Sequence, residues 1–335
     1  MPACTSTSDE PVLIEEDPKD QLRGQLVEAD RSFDGRAYGE ALSRYQAIHL
    51  AAQSRAYEGV AVEAAAQVAT IHALQGELDQ SDQWMSRAEN VDDDAEGAWS
   101  RILLARGIRS WKRGDTAGAR GTFIELYNYC QLHDREARAV QAANLAALVS
   151  LGEEQLDWSL RAIQAAQDAG EAKWEAQLWA SHGWLLDDRG RYPDALRAFE
   201  RARELELQTG ASPITRVKAD WAYAHGMRMM GRLDESRALL DRINSVTHSM
   251  HVAKPTPRTA EWLGRTLWEI GEIDATEGRD DRARERFLAA REKLVEAGAT
   301  ESAPQLVEEI DDRIRALDAP ESLRKIPPRR RDDSG

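Results

Sequence analysis

Long apolar runs, cysteine and positive charge are all scarce in this chain, and each scarcity removes a class of protein. No stretch approaches the roughly 20 apolar residues that a membrane span needs. The opening Met1-Pro2-Ala3-Cys4-Thr5-Ser6 lacks the basic flank and apolar core of a secretion signal, so a cytoplasmic location is expected. The two cysteines, Cys4 and Cys130, cannot form a disulfide framework. Asp and Glu number 59 against 44 Lys and Arg, a net charge of −15, and no basic stripe runs through the body. Contact with nucleic-acid phosphates needs such a stripe, so nucleic acid is not expected to bind through the body. An acidic surface implies solubility and a preference for basic partners. Phosphate-binding, zinc-protease, nucleophile-elbow and dinucleotide motifs are missing, so neither an enzyme nor a cofactor is expected.

Ala, Leu, Glu and Arg dominate, β-branched runs are absent, and the prolines are expected to lie outside helices. The most informative segment is Trp179-x-x-His182-Gly183-x-x-x-Asp187-x-x-Gly190-x-Tyr192-x-x-Ala195-x-x-x-Phe199-x-x-Ala202. It reads as helix–turn–helix, with bulk on one face of the first helix, a glycine where the two helices meet, and a turn glycine at Gly190. This resembles the tetratricopeptide repeat (TPR), with His182 in place of the usual Leu and Asp187 in place of the usual Tyr.

Weaker copies surround it. Gly114 precedes Thr116, Ala119, Phe123 and Leu126, with Gly107 upstream, and Gly278 precedes Asp280, Ala283, Phe287 and Ala290, with Gly271 upstream. Gly76, Gly231, Arg36 and, most faintly, Glu154 mark the other turns. Turns at 36, 76, 114, 154, 190, 231 and 278 make about seven units, longer than the usual period of about 34. The resemblance implies an all-α, right-handed superhelical solenoid of antiparallel helix pairs. One domain is expected over 21–318, with units starting near 22, 62, 100, 140, 176, 217 and 264 and a capping helix at 303–317. An acidic tail at 1–20 and a basic, proline-broken tail at 319–335 are expected to be disordered, the latter as a solvated end.

In the family the first helices line a concave groove. Carried onto this chain, that layout nominates Arg101, Ile108, Trp111, Asn144, Leu148, Trp184, Lys218, Trp221, His225, Arg228, Arg265 and Trp268 as a partner-binding surface, an aromatic floor with basic residues beside it. The same tryptophans could instead be packing bulk between helices, as expected of Trp99, Trp158, Trp179 and Trp262. The carboxylate clamp of chaperone-binding relatives is not evident, because Leu26, Asp30 and Ala66 occupy its positions.

Other motifs carry blander readings. Residues 244–259 look like a linker, and His248 and His251 lack the further ligands that zinc requires. Cys130 and His133 lack an orienting third group. The Gly114 of Arg113-Gly114-Asp115 is a repeat turn. Function then rests on shape. The first expectation is a non-catalytic scaffold or adaptor that binds a protein or peptide segment in its groove. The second is a ligand-responsive regulator that senses a peptide or small molecule and acts on a partner in trans. No membrane contact is expected, and the sequence does not indicate an oligomeric state.

Overall fold

The computed structural model describes residues 17–89 and 98–318. The described residues hold sixteen helices and no strands. They fall into two compact units that meet in sequence at Leu151 and Gly152.

The first unit comprises α1 (Pro18–Asp34), α2 (Tyr38–Gln53), α3 (Glu58–Leu74), α4 (Leu78–Ala88), α5 (Ala98–Lys112), α6 (Thr116–Leu132) and α7 (Glu136–Val149). The second comprises α8 (Gly152–Asp168), α9 (Ala172–Asp187), α10 (Tyr192–Gln208), α11 (Pro213–Met229), α12 (Leu233–Ala253), α13 (Pro257–Thr276), α14 (Asp280–Glu296), the short α15 (Ala299–Ser302) and α16 (Pro304–Asp318). Within each unit consecutive helices pack as neighbours, so α2 lies on α1 and α3, and α10 lies on α9 and α11.

Local chemistry sets the ends of these helices. Several prolines sit at helix starts rather than outside helices: Pro18, Pro213, Pro257 and Pro304 open helices and Pro193 follows the first residue of α10. There the missing N–H costs nothing and the fixed φ favours the helix. The Asp17 and Asp115 side chains each accept a backbone N–H at 2.9 Å, and Thr256 and Thr259 cap α13 reciprocally. Turns within and between pairs use left-handed residues, including Arg36, Gly76, Gly114, Gly190, Gly231 and Gly278 at expected turn positions.

The fourth expected turn is corrected. Glu154 lies inside α8, and the left-handed residue is Gly152, with φ of 61°. The expected linker is corrected too. Residues 244–253 continue α12, leaving only Lys254–Thr256 between α12 and α13. Helix α1 starts at Pro18, inside the tail expected at 1–20; the rest of that tail and the tail at 319–335 lie outside the described residues.

Pairs lock through a recurring seam. A Cβ on Gly183 would lie 2.6 Å from the Phe199 ring, and one on Gly271 would lie 2.7 Å from Phe287; Gly107 faces Phe123 in the same way. Each glycine lets a fully buried phenylalanine of the second helix lie on the backbone of the first. Burying one such side chain is worth about 1.5–3 kcal/mol. Where Ser replaces the small Ala of the second helix, its hydroxyl turns inward. Ser81 donates to the Ala69 carbonyl and Ser236 to the Ala224 carbonyl, both at 2.7 Å. At the far end α16 carries Leu306 and Ile310 into the α13–α14 core, the capping arrangement that its apolar spacing implies.

Candidate functional site

In the second unit, one face of the first helices α9, α11 and α13 brings an aromatic row and a charged row together. Residues three or four apart on a helix share a face, so Trp184 and Asp187 project together from α9. Lys218, Trp221, His225 and Arg228 do the same from α11, and Arg258, Trp262, Arg265 and Glu269 from α13. The Trp184 and Trp221 rings have centroids 5.7 Å apart, and Trp221 meets Trp262 edge-on at the same separation. The His225 ring stacks against Trp221 at 6.0 Å and lies 5.0 Å from Trp184. The Trp221 indole N–H donates to the Arg265 carbonyl at 3.2 Å.

Below this row His225 links three helices. Its Nε2 lies 3.3 Å from Asp187 Oδ2 on α9, and its Nδ1 lies 3.1 Å from Glu269 Oε1 on α13. Only the imidazolium can donate from both nitrogens. Arg228 Nε donates to the other Glu269 oxygen at 2.7 Å, so two cations face two carboxylates. Burial alone would lower the His225 pKa, but the charges and hydrogen bonds of Glu269 and Asp187 outweigh it and raise the pKa above its ordinary value.

Above the row the balance changes. Lys218 Nζ lies 5.4 Å and Arg265 Cζ 5.8 Å from the centroid of the Trp262 ring, within cation–π range. Arg265 takes Glu261 at 2.9 Å. Burial lowers the pKa of Lys218, and Arg258 and Arg265 lower it further against the pull of Glu261.

The residues nominated by the sequence divide between the units. In the second unit Trp184, Lys218, Trp221, His225, Arg228 and Arg265 assemble as described. Trp221 and His225 require correction as contact residues: at 4% and 3% exposure they are buried and support this face from beneath. Trp268 requires correction. It is fully enclosed in a separate cluster with Leu306, Val307 and Ile310 of α16, and its N–H donates to Glu272 at 2.9 Å. The capping helix covers the position that would face a groove.

In the first unit Ile108 is buried in the core, again a correction. Trp111 and Asn144 are half-buried, and Leu148 is exposed. Arg101 is drawn into an internal ion network. Its guanidinium donates two bonds of 2.7 Å to Asp30 on α1 and one of 2.9 Å to Glu63 on α3. Tyr45 also bonds Asp30. Burial would raise the Asp30 pKa, yet Arg101 holds it below its ordinary value. Nearby, burial and the charge of Arg101 pull Arg138 down to about 10.

Asp187, Arg258, Trp262 and Glu269 belong to the face but were not nominated. Asp187 in place of the repeat's usual Tyr was the available signal. Glu269 gave none, since a glutamate in a helix is ordinarily a surface residue.

Elsewhere, α8, α9 and α10 enclose a depression of about 420 Å³, walled by Trp179, Leu160 and Leu186 and rimmed by Arg191, Arg197 and Arg201. His182 lies at this depression, its Nδ1 2.6 Å from the Ser159 hydroxyl. Burial holds its pKa below the ordinary range. Ser159 also donates to the Leu156 carbonyl at 2.7 Å, so the pair reads as a satisfied core contact. Cys130 is buried, and burial pushes its thiol up to about 11, which suppresses the thiolate a nucleophile needs. His248 is exposed, whereas His251 pairs with Thr259 and with Glu296, each at 3.1 Å. Among the described residues no group of three or more His, Cys, Asp or Glu could hold a metal, and no helix is long and apolar enough to cross a membrane.

No protein-family model and no curated protein matches the sequence. Solved structures do resemble it. The apo form of RapI superimposes with a TM-score of 0.69 at 12% identity, over 89% of this chain and 81% of that one. A Rap protein complexed with competence and sporulation factor gives 0.53 at 12% identity, over 90% and 88%. A signal-transduction ATPase with a tetratricopeptide-repeat sensor, from Pyrococcus horikoshii, gives 0.65 at 11% identity. This chain covers 90% of its own length in that match but only 45% of the ATPase chain. Left-handed turns at regular intervals, glycine–phenylalanine seams and these likenesses together give the chain a tetratricopeptide-repeat fold.

Proposed function

We propose that the chain is a non-catalytic interaction module, a scaffold or adaptor that holds a segment of a partner protein along the first-helix face of α9, α11 and α13. The observation that carries this reading is half-buried Trp184 with the cations Lys218 and Arg265, set on a buried floor of Trp221 and Trp262, since aromatic and arginine side chains dominate binding hot spots. Beneath it the three helices are tied by His225, Asp187 and Glu269, so the surface is rigid before a partner arrives, which lowers the entropic cost of binding. The Rap protein complexed with competence and sporulation factor gives a precedent in the fold for ligand binding.

Ser181 is exposed and stands one turn before Trp184, on the same side of α9. Ser181→Arg should block the face without unfolding it. Affinity capture from a lysate of the source organism, compared between wild type and this variant at equal helicity, tests the reading. Loss of a stoichiometric partner with the variant is expected. A partner captured equally by both would place binding elsewhere.

A further inference from the structure

On a chain with a large excess of acid, Lys218 and Arg265 meet over the Trp262 ring and Arg258, one turn before that tryptophan on α13, adds its charge to theirs, an electrostatic anomaly. Arg258, Trp262 and Arg265 fall on one face of α13 by helical spacing, and Lys218 reaches the same indole from α11. The acid facing them, Glu261, is engaged by Arg265. Neither Lys218 nor Arg258 forms an ion pair with a carboxylate among the described residues, although the charge of Glu261 acts on Lys218. Arg258 also lies in the first turn of a twenty-residue helix, where the macrodipole adds to the positive potential. Like charges gathered this way repel one another unless an anion joins them.

We propose that this cluster is the specificity element of the binding face and that the partner segment it accepts is acidic, with an Asp or Glu side chain seated between Lys218 and Arg258 and its apolar neighbours packing on Trp184. The inference rests on the binding face proposed above and names what that face selects. A peptide fits the geometry better than a small free anion. Lys218 and Arg258 are exposed, so a free anion would remain largely hydrated there, whereas a peptide can also pack apolar side chains on the half-buried Trp184.

Panning a random dodecapeptide phage library on the immobilised full chain tests this. The selected peptides are resynthesised and measured by calorimetry against wild type, Ser181→Arg, and the pair Lys218→Met with Arg258→Met. Both methionines suit a helix and keep an unbranched apolar stem while removing the charge. The expected winners are enriched in Asp and Glu, are blocked by Ser181→Arg, and lose at least tenfold in affinity on the methionine pair. Their affinity should also fall as salt rises from 50 to 300 mM, by screening.

Winners blocked by Ser181→Arg but not enriched in acids would overturn the acidic preference and leave the binding face standing. Acidic winners that bind the methionine pair as tightly as wild type would also overturn it. Winners indifferent to Ser181→Arg would overturn both. Inorganic phosphate that raises the melting temperature of wild type but not of the methionine pair, with no acidic peptide selected, would show an anion site that is not a peptide site and would overturn the proposal.

Discussion

His225 Nδ1 lies 3.1 Å from Oε1 of Glu269, forty-four positions later in the chain and fully buried on the next first helix. With Asp187 on its other nitrogen, His225 spans three consecutive first helices and holds the binding face from beneath.

That bridge makes stability depend on pH. The folded pKa of His225 is raised above the unfolded value of about 6.5. The folded state therefore binds the proton more tightly, and the stabilisation is complete below pH 6.5 and lost as pH rises through the folded pKa. Asp187, Glu269 and Arg228 face the imidazole directly, and Glu272 adds to the field around Arg228. His182, whose pKa is lowered, acts in the opposite direction, so the useful quantity is the difference between wild type and His225→Gln. In urea unfolding between pH 6 and 9, wild type should exceed the variant most at pH 6, and the gap should close as pH rises. A constant gap would show that His225 is neutral throughout.

Breaking the Asp30–Arg101 pair should be costly. Asp30→Ala leaves Arg101, with a side chain only 5% exposed, holding Glu63 alone. Removing one member of a fully buried pair costs about 3–5 kcal/mol, so with Asp30 itself 31% exposed a smaller loss is expected, whereas replacing both by apolar groups is often near neutral. Equilibrium unfolding of the first unit should therefore show Asp30→Ala destabilised and Asp30→Ala with Arg101→Met less so. A double variant no better than the single one would mean that the pair contributes more than it costs to bury.

At the repeat seam, two effects of Gly183→Ala compete. Alanine is the better helix former by about 0.8–1 kcal/mol. Its Cβ, however, would fall 2.6 Å from two atoms of the Phe199 ring, and forced overpacking costs about 1–3 kcal/mol. Phe199 is fully buried and also packs on Trp184 at 4.7 Å, so the clash should win. Gly183→Ala is expected to lower the melting temperature, and Phe199→Leu in the same background should cost less than it does alone. A stabilised Gly183→Ala would show that the ring can move aside.

Much of this fold was legible because its constraints are local. Glycines at turns and the Gly–Phe spacing of 183 and 199 depend only on short-range sterics, and they located the helix pairs. Two readings failed where tertiary structure overrode local pattern. Residues 244–253 carry polar, β-branched and histidine residues, yet Thr247 and His251 turn inward and sustain α12 as helix. Spacing alone points to a turn at Glu154, whereas Gly152 takes the left-handed conformation. For the site, the sequence indicated which helices supply it but not which side chains are covered. Trp262 and Trp268 look alike in sequence and both are buried, the former in the core of the face and the latter in a separate cluster with α16. Charge partners 38 to 71 positions apart, such as Arg101 with Asp30 and His225 with Asp187, leave no local trace.

The most direct test of the binding face is site-specific photocrosslinking in the source cells. A photoreactive residue is placed at Ser181 on the first-helix face and, as controls, at Arg242 and Arg282 on the second helices, all three exposed. A single crosslinked partner is expected from position 181 and none from 242 or 282. The same partner crosslinked from 242 or 282, with position 181 silent, would contradict the proposed binding face.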